Sequence, residues 1–155
     1  MEQRTFTLAD EAGTAHLGRA IAARLQAGEA VLLSGPLGAG KSTLARALVR
    51  ALTTADEDVP SPTFTLVQYY EAEPPVAHFD LYRLETAEEA REIGLTEALD
   101  EGAALVEWPE RLGEDVARWL GPDRLTVEIA PEGTGRVATV SGVGVWERKL
   151  RDLEL

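Results

Sequence analysis

An α/β sandwich built on a largely parallel sheet is the fold this sequence predicts, and three observations predict it. Stretches of strand composition alternate with helical stretches along most of the chain. The apolar runs at 30–34 (AVLLS) and 103–108 (AALVEW) do not alternate with polar residues, as expected of strands buried on both faces. Between the first of these runs and an amphipathic helix lies a glycine-rich loop, the order of a strand–turn–helix unit.

The elements run in order along the chain. Residues 5–8 (TFTL) have strand composition, and from about Asp10 to Ala27 the spacing of Leu17, Ile21 and Leu25 predicts a helix with one apolar face. Gly28 is placed to end it. After the buried strand and the glycine-rich loop, 42–52 read as a helix with Leu44, Leu48 and Leu52 in register. The segments 63–70 and 76–82 read as strands separated by the turn EAEPP. One or two short acidic helices are expected over 85–101, then the strand 103–108, then a helix opened by Pro109 and reaching about Leu120. LTVEIA (125–130) and RVATVSG (136–142) flank PEGTG as a C-terminal antiparallel hairpin, before a polar terminal helix. With 155 residues and no linker-like stretch, the expected organisation is one domain over 1–155.

Composition excludes several functions. Asp and Glu outnumber Lys and Arg by 27 to 15, a net charge of −12. Binding nucleic acid by broad phosphate neutralisation requires clustered cations, so direct grip of DNA or tRNA is not expected, nor is an anionic membrane surface. There is no cysteine and there are only two histidines, His16 and His78, which excludes a disulfide framework and a Cys-containing zinc site. The start of the chain lacks the basic and apolar segments of a secretory signal, and a cytoplasmic location is the expectation.

Gly35 to Ser42 (GPLGAGKS) fits the Walker A pattern G-x-x-x-x-G-K-[ST] at every fixed position. Glycines let the backbone wrap a phosphate and turn its N–H groups inward, and the helix beyond the loop aims its positive end at the same anion. Lys41, one of only two lysines, would reach the β- and γ-phosphates, and the Ser42 hydroxyl would ligate Mg²⁺. The strand–loop–helix context makes the expected fold a P-loop NTPase-like three-layer sandwich. Glu107 closes the run Ala103 to Val106 and is either a Walker B ligand of Mg²⁺ or a solvent-facing acid. In 78–83 (HFDLYR), period-two geometry puts His78, Asp80 and Tyr82 on one strand face. Asp80 either orients or deprotonates an attacking water, or caps the helix after it, in which case His78 lies at the surface. Ser61 and Thr63, on either side of Pro62, form either a phosphate-sensing switch loop or an ordinary turn.

Residues also separate the familiar classes of P-loop protein. A guanine-reading Asn-Lys-x-Asp motif is impossible with lysines only at 41 and 149. A kinase lid needs several arginines, and 83–101 offers Arg83 and Arg91 alone. A phosphotransferase with a small acceptor and a nucleotide-gated binding module remain open beside an ATPase.

Taken together, GPLGAGKST (35–43), SPTFTLV (61–67), HFDLYRL (78–84), the Ile-Gly-Leu-x-Glu at 93–97 and LVEWPER (105–111) resemble the TsaE family, also called YjeE, in order and spacing. The resemblance covers residues 5 to 140. Two positions depart: Pro36 stands where the family usually has Asp, and Ser42 where Thr is common. The resemblance implies an ATPase that supports threonylcarbamoyladenosine formation on tRNA, binding the TsaD–TsaB pair, with tRNA reached only through those partners. It implies ATP and Mg²⁺ as ligands. Phosphates would be held by Gly38, Ala39, Gly40, Lys41, Ser42 and Thr43, with Mg²⁺ on Ser42 and Glu107. It further implies that Lys41, Asp80 and Thr63 serve hydrolysis, that Glu11, Gly135 and Arg136 border the adenine, and that Trp108 reports nucleotide state or touches the partner.

Overall fold

The structure is a computed structural model and describes residues 1–155. Seven strands form one sheet in the order β1-β7-β6-β2-β5-β4-β3. These are β1 (Glu2–Leu8), β2 (Ala30–Ser34), β3 (Val67–Tyr70), β4 (Val76–Asp80), β5 (Ala103–Glu107), β6 (Arg124–Glu132) and β7 (Gly135–Val143). The central four, β6-β2-β5-β4, run parallel. Antiparallel strands extend both edges: β7 and then β1 on one side, β3 on the other. The P-loop NTPase-like sandwich with a parallel centre and a C-terminal hairpin is therefore observed.

Helices cover both faces, which explains why β2 and β5 carry no polar alternation. Val31 and Leu33 of β2 and Leu105 of β5 point to one face, under α1 (Glu11–Ala22), α2 (Lys41–Leu52) and α6 (Trp146–Arg151). Ala30, Leu32, Ala104 and Val106 point to the other, under α3 (Glu88–Glu92), α4 (Leu95–Glu101) and α5 (Val116–Leu120). On the first face α1 and α2 pack so closely that a Cβ on Gly18 would lie 2.7 Å from the Leu44 carbonyl oxygen. No helix is long and apolar enough to cross a membrane.

Several element boundaries differ from expectation, each for a local reason. α1 stops at Ala22 rather than running to Ala27, because Arg24 and Leu25 donate to carbonyls three residues back and tighten the last turn. The Glu29 carboxylate then accepts the Gln26 N–H at 3.0 Å and turns the chain, while the Gly28 N–H goes to the Gly102 carbonyl instead of capping the helix. Of 63–70 only the last four residues are a strand; Leu66 has φ +70° and donates to the Pro62 carbonyl. β4 ends at Asp80 because its own carboxylate takes the Tyr82 N–H at 2.9 Å. The helix expected from Pro109 to Leu120 is broken into a 3-10 turn at Pro109–Leu112 and α5, separated by Gly113 at φ +79°. The hairpin loop is shorter than PEGTG, with only Gly133 and Thr134 between the strands. The terminal helix is not polar throughout: Trp146 and Leu150 are fully buried. The Trp146 indole donates to Glu29 at 3.0 Å and Lys149 pairs with the same carboxylate at 2.6 Å, so α6 is tied to the start of β2.

Candidate nucleotide site

Parallel pairing brings three strand ends to one edge. Leu33 of β2 lies beside Glu107 of β5, and Glu107 lies beside Asp80 of β4. Ligands of open α/β sheets bind outside such carboxyl ends. Here the loop 35–40 leaves β2 at that edge and delivers Lys41 as the first residue of α2. Gly40 has φ +115°, a conformation that side-chain-bearing residues resist, and a Cβ there would lie 2.5 Å from an Arg136 guanidinium nitrogen. Around Gly38, by contrast, a Cβ would meet nothing within 4 Å, so the loop leaves open space beside its backbone.

A cleft of about 280 Å³ opens above this loop. It is bordered by Gly38, Gly40, Lys41, Ser42 and Thr43 of the loop and helix, by Ser61 and Thr63, by Asp80, by Glu107 and Trp108, and by Glu11 and Arg136. Twelve of the residues singled out in the sequence thus meet at one place. Of the residues that the resemblance implies for the site, two do not border it: Ala39 is packed in the core, and Gly135 lies against the Leu8 and Ala9 carbonyls, where a Cβ would come within 2.5 Å. Glu11 and Arg136 arrive together because Asp10 caps α1 through the Gly13 N–H while Leu8, at the end of β1, pairs with Arg136 of β7.

The charged groups are held by specific partners. Lys41 is 5% exposed; its Nζ donates to the Gly35 carbonyl at 2.8 Å and stands 3.7 Å from the centre of the Trp108 ring. Burial pulls this ammonium below its ordinary value, and Glu107, Glu110 and Asp80 only partly offset it. Trp108 reaches the lysine because it leaves β5 at φ +60°, and its ring packs 4.8 Å from that of Tyr82. Asp80 accepts from Tyr82 N–H through Oδ1 and from the Thr63 hydroxyl, at 3.2 Å, through Oδ2. Ser61 and Thr63 hydroxyls are 2.7 Å apart, so the loop 61–63 is hooked onto Asp80.

Sequence reasoning missed the partner of Glu107. His78 is 2% exposed rather than on the surface, and its Nε2 lies 2.7 Å from Glu107 Oε2. The pairing was not readable, since the two residues belong to different strands; the one available sign was a histidine inside an otherwise apolar strand.

No group of three His, Cys, Asp or Glu side chains converges as a free-standing metal cage. The donors present, a Ser42 hydroxyl and a buried Glu107 carboxylate on one cleft, fit Mg²⁺, which takes one or two protein oxygens and completes its octahedron with phosphate and water.

The buried ammonium has a consequence for stability. Folding lowers the pKa of Lys41 from 10.5, so the charged form is less favourable in the fold than in the unfolded chain. Its cost is full below the folded value and disappears as pH rises through that value toward 10.5. Lys41→Met should therefore raise the thermal midpoint at pH 7, with the gain shrinking as the pH approaches 10; a gain that grows with pH would contradict this sign.

Known proteins resemble this chain in sequence and in fold. The family model described as threonylcarbamoyl adenosine biosynthesis protein TsaE matches residues 8–138. The protein from Rickettsia conorii named tRNA threonylcarbamoyladenosine biosynthesis protein TsaE is 40% identical over 105 residues, 67% of this chain and 60% of that relative. Proteins of the same name from Synechocystis and Streptomyces coelicolor are 43% and 40% identical, over 69% and 83% of this chain and 71% and 89% of theirs. The chain covers 60% and 61% of the length of the Rickettsia conorii and Rickettsia felis relatives. Among solved structures, that of Bacillus subtilis YdiB superposes with a TM-score of 0.75 at 26% identity, covering 97% of this chain and 93% of that one.

Proposed function

This chain belongs to the TsaE family of threonylcarbamoyl adenosine biosynthesis proteins, and from that premise we propose that it is an ATP-hydrolysing accessory protein of tRNA threonylcarbamoyladenosine formation. It works as a single P-loop domain over 1–155, in the cytoplasm, and sustains turnover of the TsaD–TsaB pair rather than transferring the threonylcarbamoyl group itself. The observation that carries this reading is the convergence of Lys41, Ser42, Asp80 and Glu107 on one cleft at the carboxyl ends of β2, β4 and β5.

Each role has a geometric basis. Backbone N–H groups over Gly38–Thr43 and the N-terminus of α2 receive the phosphates, and Lys41 exchanges the Gly35 carbonyl for phosphate oxygen. Mg²⁺, held by Ser42 and Glu107, supplies charge neutralisation on the phosphate oxygens. Asp80 accepts the proton of the attacking water, and Thr63, bonded to it, ties the loop 61–63 to the same step. Glu11 and Arg136 border the base. A net charge of −12 supports action on tRNA through a protein partner. Arg91 pairs with Glu88 at 2.8 Å and Arg83 stands over Phe64, so neither forms part of a phosphate-clamping lid, which weighs against a phosphotransferase.

The decisive experiment tracks γ-labelled ATP with the protein alone, then with purified TsaD–TsaB and tRNA. Label released as inorganic phosphate and accelerated by the pair is expected. Label passing to another molecule, or no turnover in either mixture, would overturn the reading.

A further inference from the structure

His78 has no part in the proposed hydrolysis, yet it is one of six buried polar or charged residues in the protein. Three of the others, Lys41, Asp80 and Glu107, line the cleft. A carboxylate only accepts hydrogen bonds, so the 2.7 Å contact with Glu107 Oε2 requires that His78 Nε2 carry the proton and donate. One carboxylate oxygen is thereby engaged, and Oε1 takes no side-chain hydrogen bond.

The other ring nitrogen is informative. Nδ1 is buried without a hydrogen-bond partner. His78 and Glu107 also border a second cavity of about 40 Å³, which they share with Ser42 and Ser61. That volume has room for a water molecule. A donor there would engage Nδ1 and favour the tautomer that donates from Nε2 to Glu107. An apolar side chain of similar volume would fill this part of the strand at lower desolvation cost. It would leave the Glu107 carboxylate free to rotate, and packing alone gives no reason for an imidazole here.

We propose that His78 is a positioning residue for metal binding: its Nε2–H holds Glu107 in one orientation, so that Oε1 is presented on the side of the cleft where Ser42 stands. The proposal rests on the reading of Glu107 as a metal ligand. Groups that hydrogen-bond a metal's ligands tune affinity strongly, and their loss commonly weakens binding by about 10- to 100-fold.

The test uses the full chain, Mn²⁺ as the probe, and a non-hydrolysable ATP analogue, with free Mn²⁺ read by electron paramagnetic resonance. His78→Leu should weaken Mn²⁺ binding to the analogue complex by about 10- to 100-fold and leave affinity for the analogue without metal unchanged. His78→Gln, whose amide can donate from nearly the same point, should restore most of the loss. Glu107→Gln is the control for the underlying reading. Unchanged Mn²⁺ affinity in His78→Leu with a loss in Glu107→Gln overturns the positioning role alone. Unchanged affinity in both overturns the assignment of Glu107 as a ligand and the proposal with it. Equal losses in the Leu and Gln variants, or a parallel loss of metal-free analogue binding, would make His78 a packing residue and likewise overturn the proposal. Should His78→Leu fail to fold, His78→Asn, whose shorter amide stops short of Glu107, carries the same expectations.

Discussion

Asp80→Asn should slow the release of inorganic phosphate from ATP by about 10²- to 10⁴-fold, the usual cost of losing a general base, while leaving ATP binding unchanged. The choice of Asn matters because Asp80 has two jobs that the structure separates. Its Oδ1 accepts the Tyr82 N–H and stops β4; its Oδ2 accepts from Thr63. Asn keeps a carbonyl oxygen for Tyr82, and its amide can donate to the Thr63 hydroxyl, which accepts as readily as it donates. Asn and Asp serve turns about equally, so a purely structural Asp80 would tolerate the exchange. Asp80→Ala removes both functions and should add a loss of thermal stability that Asp80→Asn lacks. Single-turnover phosphate release, ATP binding and thermal unfolding on both variants decide the matter. Full turnover in Asp80→Asn would return the residue to the turn alone.

Trp146→Ala should cost about 3–5 kcal/mol, as deletion of large buried aromatic side chains does. That is a sizeable share of the roughly 5–15 kcal/mol by which a domain of this kind is stable, and corresponds to a fall in midpoint of about 6–20 °C. Two terms act together. The indole is fully buried in the cluster under α1, α2 and α6, so its removal opens a cavity. Its N–H also serves Glu29, which is 5% exposed and has Lys149 as its ionic partner at 2.6 Å. Trp146→Phe keeps most of the volume and loses only the donor, for an expected cost of about 1–3 kcal/mol. Denaturant unfolding of both variants separates the terms. A loss in the Phe variant as large as in the Ala variant would mean that the hydrogen bond outweighs the packing.

What could be read in advance divides along physical lines. The loop 35–42 was legible because its glycines answer to backbone geometry, a local demand that Gly38 and Gly40 meet at positive φ. β2 and β5 were legible because burial on two faces removes polar alternation from the strand itself. Residues 63–66 were misread because Thr, Phe and Leu have high β-propensity, whereas the segment turns to lay Thr63 on Asp80 and to give the Leu66 carbonyl to the Asp80 N–H. The end of α1 and the polarity of α6 were misread for one reason: both depend on Glu29, which turns the chain at Gln26 and receives Trp146 and Lys149 from the C-terminal segment. The hydrogen-bonded and cation–aromatic pairs of the site, His78 with Glu107 and Lys41 with Trp108, join strands and loops that only the sheet brings together.

The pairing of β1 with β7, Glu2 beside Gly142 through Leu8 beside Arg136, joins two segments far apart in the sequence. β1 has its one sheet neighbour in β7, and closing so long a loop carries an entropic cost. Glu11 and Arg136 stand on either side of that junction and both border the cleft. The loop 35–40 can therefore form locally between β2 and α2, but the wall of the cleft that holds Glu11 and Arg136 exists only once β1 and β7 have paired. In this topology that wall depends on the longest-range strand pairing in the sheet, so the cleft is complete only when the sheet is.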